Sequence, residues 1–272
     1  MPCRTGIIAG GSVVFVPPLW ITWDAGVYNT VLTSTQSAAA VGQSVSTWRG
    51  NTQEVLSLVG APNCQLIVDG SSNTRRGVSK NDTTSFLYYP NTTVQYHDRA
   101  FLMAFRRLND SIATGAAAYI FAHRSRNVAP AGSIMIYVAN STVYLQVYRN
   151  LNGVPTISTV VLGTMDTSKF FTLCFQLNNR VDNSFDIKWM GSSNKTLQSV
   201  TYSGSMAPTS TFLQPTSFGG VSSTDGTGQY LPGTWTGGQC AAVFYEMRIS
   251  IYKLTDAELQ TEYNTLDAKW LN

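Results

Sequence analysis

Apolar side chains recur at every second position through the middle of this chain, and that period constrains the fold more than any other feature. Ile134, Ile136 and Val138 share one face, Asn140 and Ser141 make a turn, and Val143, Leu145 and Val147 share one face of the next segment. Phe171, Leu173, Phe175 and Leu177 repeat the pattern, as do Tyr245, Met247, Ile249 and Ile251, whose opposite face carries Glu246 and Arg248. Side chains alternate across a strand, so period two predicts β structure. The predicted strands are Arg99 to Arg107, Ala118 to Arg124, Ser133 to Ala139, Thr142 to Arg149, Thr156 to Leu162, Lys169 to Leu177, Ser184 to Met190, Thr196 to Tyr202 and Cys240 to Tyr252. Short strands separated by turn pairs such as Asn152-Gly153, with no internal repeat, predict an all-β sandwich of two antiparallel sheets.

One helix is predicted, near the C-terminus. Thr255 followed by Glu258 makes a capping box, and Leu254 and Leu259 stand at the two staple positions around it. Leu259, Tyr263, Leu266 and Trp270 then fall on one helical face, which should pack on the sandwich and close it as a clasp with the preceding strand.

Composition narrows the function classes. Of 272 residues, 12% are charged and 43% are hydrophobic, with a net charge of +3. A typical domain carries about 25% charged residues, so Ser, Thr, Asn and Gln must face the water here. Disordered and coiled-coil chains are excluded, and 18 Lys and Arg against 15 Asp and Glu argue against a nucleic-acid partner. The uncharged stretch from Gly6 to Ile21 is interrupted by Pro17 and Pro18 and is too short to span a bilayer as a helix. It reads as an N-terminal arm or edge strand over residues 1–18, ahead of one domain over 19–272, with no membrane insertion. Within the arm, Ile7, Ile8, Val13, Val14 and Phe15 could add a strand to a neighbouring subunit or lie at the edge of the same sandwich. Cys3, Cys64, Cys174 and Cys240 form no C-x-x-C and predict scattered free thiols.

The run from Val243 through Tyr252-Lys253-Leu254-Thr255-Asp256-Ala257-Glu258-Leu259 to Gln260 resembles the terminal strand and helix of concanavalin A-like lectin/glucanase domains of the laminin G-like type. Phe170 to Leu177, Phe185 to Gly191 and Phe218-Gly219-Gly220 are similar to that family's central strand, following hairpin and late glycine pair. Trp23-Asp24-Ala25 with Val45-Ser46-Thr47-Trp48 looks like the opening of viral and bacterial members. The resemblance implies a jelly-roll sandwich that serves as a glycan-binding module, a glycan-cleaving enzyme, or a structural or adhesive protein.

These classes are separated by residues. Glycoside hydrolysis needs two carboxylates flanking the scissile bond. The glucanase branch draws them from a Glu-x-Asp-x-x-Glu string that is absent here, and the chain holds four glutamates, Glu54, Glu246, Glu258 and Glu262. No catalytic residues are therefore expected. Sugar binding would draw on the segment from Ser203 to Gln239, a run of about 35 residues without clear periodicity that carries Asp225, Gln229, Tyr230 and Trp235. Those aromatics either meet a sugar or pack the loop onto the protein. Calcium is a conceivable ligand in such lectin sites, but nothing in the spacing supports it, so no cofactor is expected. The expectation is a noncatalytic virion surface or capsid-associated protein, with virion proteins and host-surface glycans as partners. A free extracellular lectin is the alternative and a glycan-cleaving enzyme the third reading.

Overall fold

The computed structural model describes residues 8–9, 12–13, 20–51, 55–59, 64–69, 75–80, 86–89, 98–108, 117–123, 132–166, 169–206, 216–219, 223–224, 230–231 and 241–271. Its first strands are β1 (Ile8–Ala9), β2 (Ser12–Val13), β3 (Trp20–Asp24), β4 (Val31–Leu32), β5 (Thr47–Arg49), β6 (Val55–Val59), β7 (Cys64–Val68), β8 (Arg76–Lys80) and β9 (Phe86–Tyr89). The long strands follow: β10 (Arg99–Arg107), β11 (Ala118–His123), β12 (Ile134–Ala139), β13 (Thr142–Leu151), β14 (Val154–Thr164), β15 (Phe171–Asn179), β16 (Ser184–Gly191) and β17 (Asn194–Ser203). After them come β18 (Thr216–Phe218), β19 (Ser223–Thr224), β20 (Tyr230–Leu231), β21 (Ala242–Ser250) and the helix α1 (Asp256–Leu271).

Two large antiparallel sheets carry the fold. One has nine strands in the order β14-β13-β12-β11-β18-β9-β6-β5-β4. The other has eight, in the order β17-β16-β15-β10-β21-β8-β7, with β3 pairing the remaining length of β21. The nine predicted strands are all present, and the hairpins β12 to β14 and β15 to β17 follow directly from their period and turns. Asn140, Ser141 and Asn152 take positive φ, and Gly153 does so at 86°, which is the backbone that tight hairpin turns demand.

The main core lies between the sheets. Phe101, Phe105, Phe121, Phe171, Phe175 and Phe218 meet there as a tilted aromatic cluster, and Phe101 and Phe121 have centroids 4.6 Å apart. Trp23, Ala25, Val45 and Trp48, from the opening motif, are buried in the same core. A second core lies on the far side of the eight-stranded sheet, where Leu259, Tyr263, Leu266 and Trp270 of α1 cover Ala100, Leu102, Ala104, Cys174, Val243 and Tyr245. The molecule thus has three layers: nine-stranded sheet, eight-stranded sheet, helix. Strand β15 lies in the middle layer, so every residue from Phe171 to Asn178 is buried.

The capping box forms as predicted. Thr255 N–H donates to Glu258 Oε2 at 2.8 Å, and Glu258 N–H donates to Thr255 Oγ1 at 3.3 Å. Gln176 fixes where the chain turns into the helix, its Nε2 donating to the Leu254 carbonyl and its Oε1 accepting from the Leu254 amide, both at 2.9 Å.

Several expectations are amended. The Ser203 to Gln239 segment is not one unbroken loop, because β18 lies inside it and pairs with β11 and β9, while β19 pairs with β20. In the arm, β1 pairs with β2 through Ile8 opposite Val13. Ile7, Val14 and Phe15 lie outside the described residues, as do the side chains of Ile8 and Val13. Cys64 and Cys174 are buried; Cys3 and Cys240 lie outside the described residues.

Candidate functional site

Among the described residues, a dense charge cluster sits under α1. Glu246 is 1% exposed although it alternates with the inward residues of β21, since the helix covers the face on which it points. Its Oε2 accepts from Lys269 Nζ at 2.6 Å and Trp270 Nε1 at 2.9 Å, and its Oε1 accepts from Arg248 Nε at 2.5 Å. Lys269 also reaches Asp24 of β3 at 2.6 Å, and Arg248 reaches Glu262 at 3.3 Å. Burial pushes the Glu246 carboxyl up, but Arg248 and Lys269 outweigh it and hold the group below the usual carboxylate range. Asp267 is placed likewise, accepting from Thr172 Oγ1 at 2.6 Å and Lys195 Nζ at 2.7 Å. These groups tie helix to sheet and are consumed in doing so.

Arg106 is drawn in at the edge of the same layer, 2.6 Å from Asp69 and 3.4 Å from the Tyr245 hydroxyl. Burial, and the carboxylate of Asp69, push the Tyr245 phenol well above its ordinary value.

The outer face of the nine-stranded sheet is built differently. Its inward residues fill the main core, so the alternate residues of β11 to β14 point away from it. Register places Tyr119 opposite Tyr137, Tyr137 opposite Tyr144, and Tyr144 opposite Val161, giving one row across four strands. A second row runs Ser217, Ala122, Met135, Gln146, Thr159, and Tyr148 stands opposite Ile157 beyond it. None of these side chains is charged. The four tyrosines are half-buried, while Val161 and Ile157 are 53% and 49% exposed. Tyr119 and Tyr148 pack against buried Ala122 and Met135, which fixes the rings on the sheet.

Ring centroids in the row step by 6.2 Å from Tyr119 to Tyr137 and by 5.1 Å from Tyr137 to Tyr144. Gln146 Nε2 donates to the Tyr137 hydroxyl at 3.2 Å. The phenol oxygen accepts there and keeps its hydrogen to donate, while the Gln146 carbonyl stays an acceptor beside it. Burial, then the neighbouring Tyr144 and Tyr119, raise the Tyr137 phenol above its ordinary value, so it remains a neutral hydrogen-bonding group. An uncharged, ring-lined surface with paired donor and acceptor suits a ligand that is apolar on its faces and hydroxylated at its rim.

Of the residues singled out from sequence, Asp225, Gln229 and Trp235 lie outside the described residues, and of Tyr230 only the backbone pairing with Thr224 is described. The tyrosine row was not anticipated. Its signal was present, because the two-residue turn Asn140-Ser141 forces Ala139 opposite Thr142 and hence Tyr137 opposite Tyr144. Among the described residues, no three His, Cys, Asp or Glu side chains converge as metal ligands would. Among the same residues, no helix is long and apolar enough to cross a membrane.

No protein-family model matches the sequence, and no curated protein matches it. Solved structures do match in fold. The binding domain of botulinum neurotoxin serotype D aligns over 90% of this chain and 51% of its own, at 9% identity and a TM-score of 0.51. The receptor binding domain of the mosaic serotype C/D toxin aligns over 90% and 50%, at 10% identity and a TM-score of 0.51. The CBM40 of the Ruminococcus gnavus IT-sialidase, bound to alpha2,3 sialyllactose, covers 69% of this chain and 96% of its own, at 11% identity and a TM-score of 0.45. The chain spans about half the length of the toxin domains, and at such identity the likeness is one of fold: a β-sandwich that known binding domains also use.

Proposed function

We propose that this chain is a noncatalytic glycan-binding module and that its sugar lies on the tyrosine face of the nine-stranded sheet. The observation that carries the reading is the uncharged row of Tyr119, Tyr137 and Tyr144 on a sheet face that α1 does not cover, whereas the equivalent face of the other sheet is sealed by the helix. Two further points support it. Among the described residues, the most buried carboxylates, Glu246 and Asp267, are engaged by cations that hold the helix, and Glu258 caps it. The fold is that of domains whose names describe binding, the toxin receptor-binding domains among them.

The resemblance to laminin G-like jelly rolls fits the same reading, and Asp225, Gln229, Tyr230 and Trp235 are proposed as a second sugar contact. We place the module on a virion surface or capsid, where a sparsely charged exterior (33 Asp, Glu, Lys and Arg in all) suits many neutral contacts. A free extracellular lectin is the alternative setting. Copurification with particles separates the two.

An immobilised glycan array tests the binding claim. Saturable capture that falls about tenfold or more in Tyr144→Ala, with the thermal transition kept, is expected. Capture unchanged in that variant overturns the tyrosine face as the site. Sugar release from polysaccharides overturns the noncatalytic claim. A loss on Trp235→Ala would extend the site to that segment.

A further inference from the structure

Charge on the described part of the face is the starting point. Across β11 to β14 the side chains it presents include Tyr119, Tyr137, Tyr144, Tyr148, Thr159 and the β14 aliphatics, and the hydrogen-bonding pair at its centre is Tyr137 with Gln146, both neutral. Arg49, exposed on the same face at β5 toward the other edge of the sheet, donates to Gln36. Among the described residues, the nearest cation along these strands turns away: Arg149 donates to the Ser203 carbonyl and sets its guanidinium 5.4 Å over the Tyr202 ring, at the opposite side of the sheet edge. Lys269, Arg248, Lys195 and Lys188 are all held in ion pairs on the helix side of the molecule.

A carboxylate or sulfate loses hydration when it settles on such a surface, and it needs a cation or several N–H donors to recover the loss. A sugar hydroxyl asks for one donor and one acceptor, which Tyr137 and Gln146 present side by side. The row also has a direction. Rings stepping by 6.2 and 5.1 Å run perpendicular to the strands, so an extended ligand that touches all three must lie across β11, β12 and β13.

We propose that the tyrosine face takes an uncharged saccharide lying across the strands, and that it discriminates against sialylated, sulfated and uronic-acid forms. The proposal rests on the glycan-binding reading and narrows it to a substrate class.

The test is an array of matched neutral and acidic versions of the same oligosaccharides, probed with the full chain, with Tyr119→Ala, Tyr144→Phe and Thr159→Arg variants alongside. The expected result is capture on neutral forms at least about tenfold stronger than on their acidic partners. That capture should change less than about twofold between about 0.05 and 0.5 M salt, because no ion pair forms. Thr159 is exposed next to Gln146 in the second row, so an arginine there should raise capture of the acidic forms specifically. Equal or stronger capture of acidic forms that Tyr119→Ala still abolishes overturns the neutral assignment and leaves the glycan reading standing. Capture of no glycan at all overturns that reading and this one together. Tyr144→Phe keeps the ring and its packing, so a weakening there assigns the phenol to the ligand without a folding defect.

Discussion

Replacing Glu246 by Gln preserves side-chain volume while removing one charge from a carboxylate that is 1% exposed. In the parent, three donors converge on it, from Lys269, Trp270 and Arg248. The Gln amide nitrogen cannot accept, so at least one of those donors is left facing another donor. Removing one member of a buried ion pair costs about 3–5 kcal/mol. Lys269 is 41% exposed and retains Asp24, and Arg248 retains Glu262, which returns part of that cost. A net loss of about 2–3 kcal/mol follows, which in a chain of this size lowers Tm by about 5 °C. The dependence on pH has a fixed sign. Because the folded carboxyl titrates below its unfolded value of about 4.3, its contribution is complete above that value and fades as pH falls through it toward the folded one. Urea midpoints measured at pH 7 and at intervals down to about pH 3 should show Glu246→Gln less stable at neutrality and less sensitive to acid than the parent. An unchanged midpoint at pH 7, or an acid limb as steep as the parent's, would refute the reasoning.

Three further outcomes are expected. Gly191→Ala would set a methyl 2.3 Å from the Leu162 carbonyl oxygen of the facing strand, so the urea midpoint should fall by the equivalent of about 1–3 kcal/mol. Gln176→Ala strips both backbone partners from Leu254, costing about 2–4 kcal/mol, and hydrogen exchange at the Leu254 amide should rise relative to the mid-helix amides. Burial, with the nearby Glu262, drives the Cys174 thiol upward, so a thiol reagent followed by peptide mapping should leave it unmodified until denaturant is added.

The hairpins from β12 to β17 were legible because their strands alternate with period two and the turns at Asn140-Ser141, Asn152-Gly153 and Asn183 carry residues that take positive φ. Strands β4 to β9 were not, being only two to five residues long, too short for a period to show, and β8 and β6 are fixed in their sheets also by partners further along the chain, β21 and β9. Glu246 and Arg248 misled in a different way. Alternation marks them as the polar side of β21, and that side is ordinarily wet, but here it meets the helix, so their polarity is satisfied by Lys269, Glu262 and Trp270. The tyrosine row was hidden for the converse reason. Tyr137 and Tyr144 sit at non-core positions of legible strands, but Tyr119 joins them only through the pairing of β11 with β12, which includes a bulge between Tyr119 and Phe121 that periodicity cannot foresee.

Strand β21 stands in the middle of its sheet, with β10 on one side and β8 and β3 sharing the other. Its contact with β3 joins Ile249 to Ile21, and so spans most of the chain. During synthesis the N-terminal segments therefore wait, with their pairing edges open, for residues that leave the ribosome hundreds of positions later. Folding should be slow, gated by the late arrival of β21 and its long-range pairings with β3, β8 and β10, and exposed to aggregation until they form. Chains halted before residue 241 lack the strand on which β10, β8 and β3 all pair, and should accumulate in chaperone complexes or inclusion bodies.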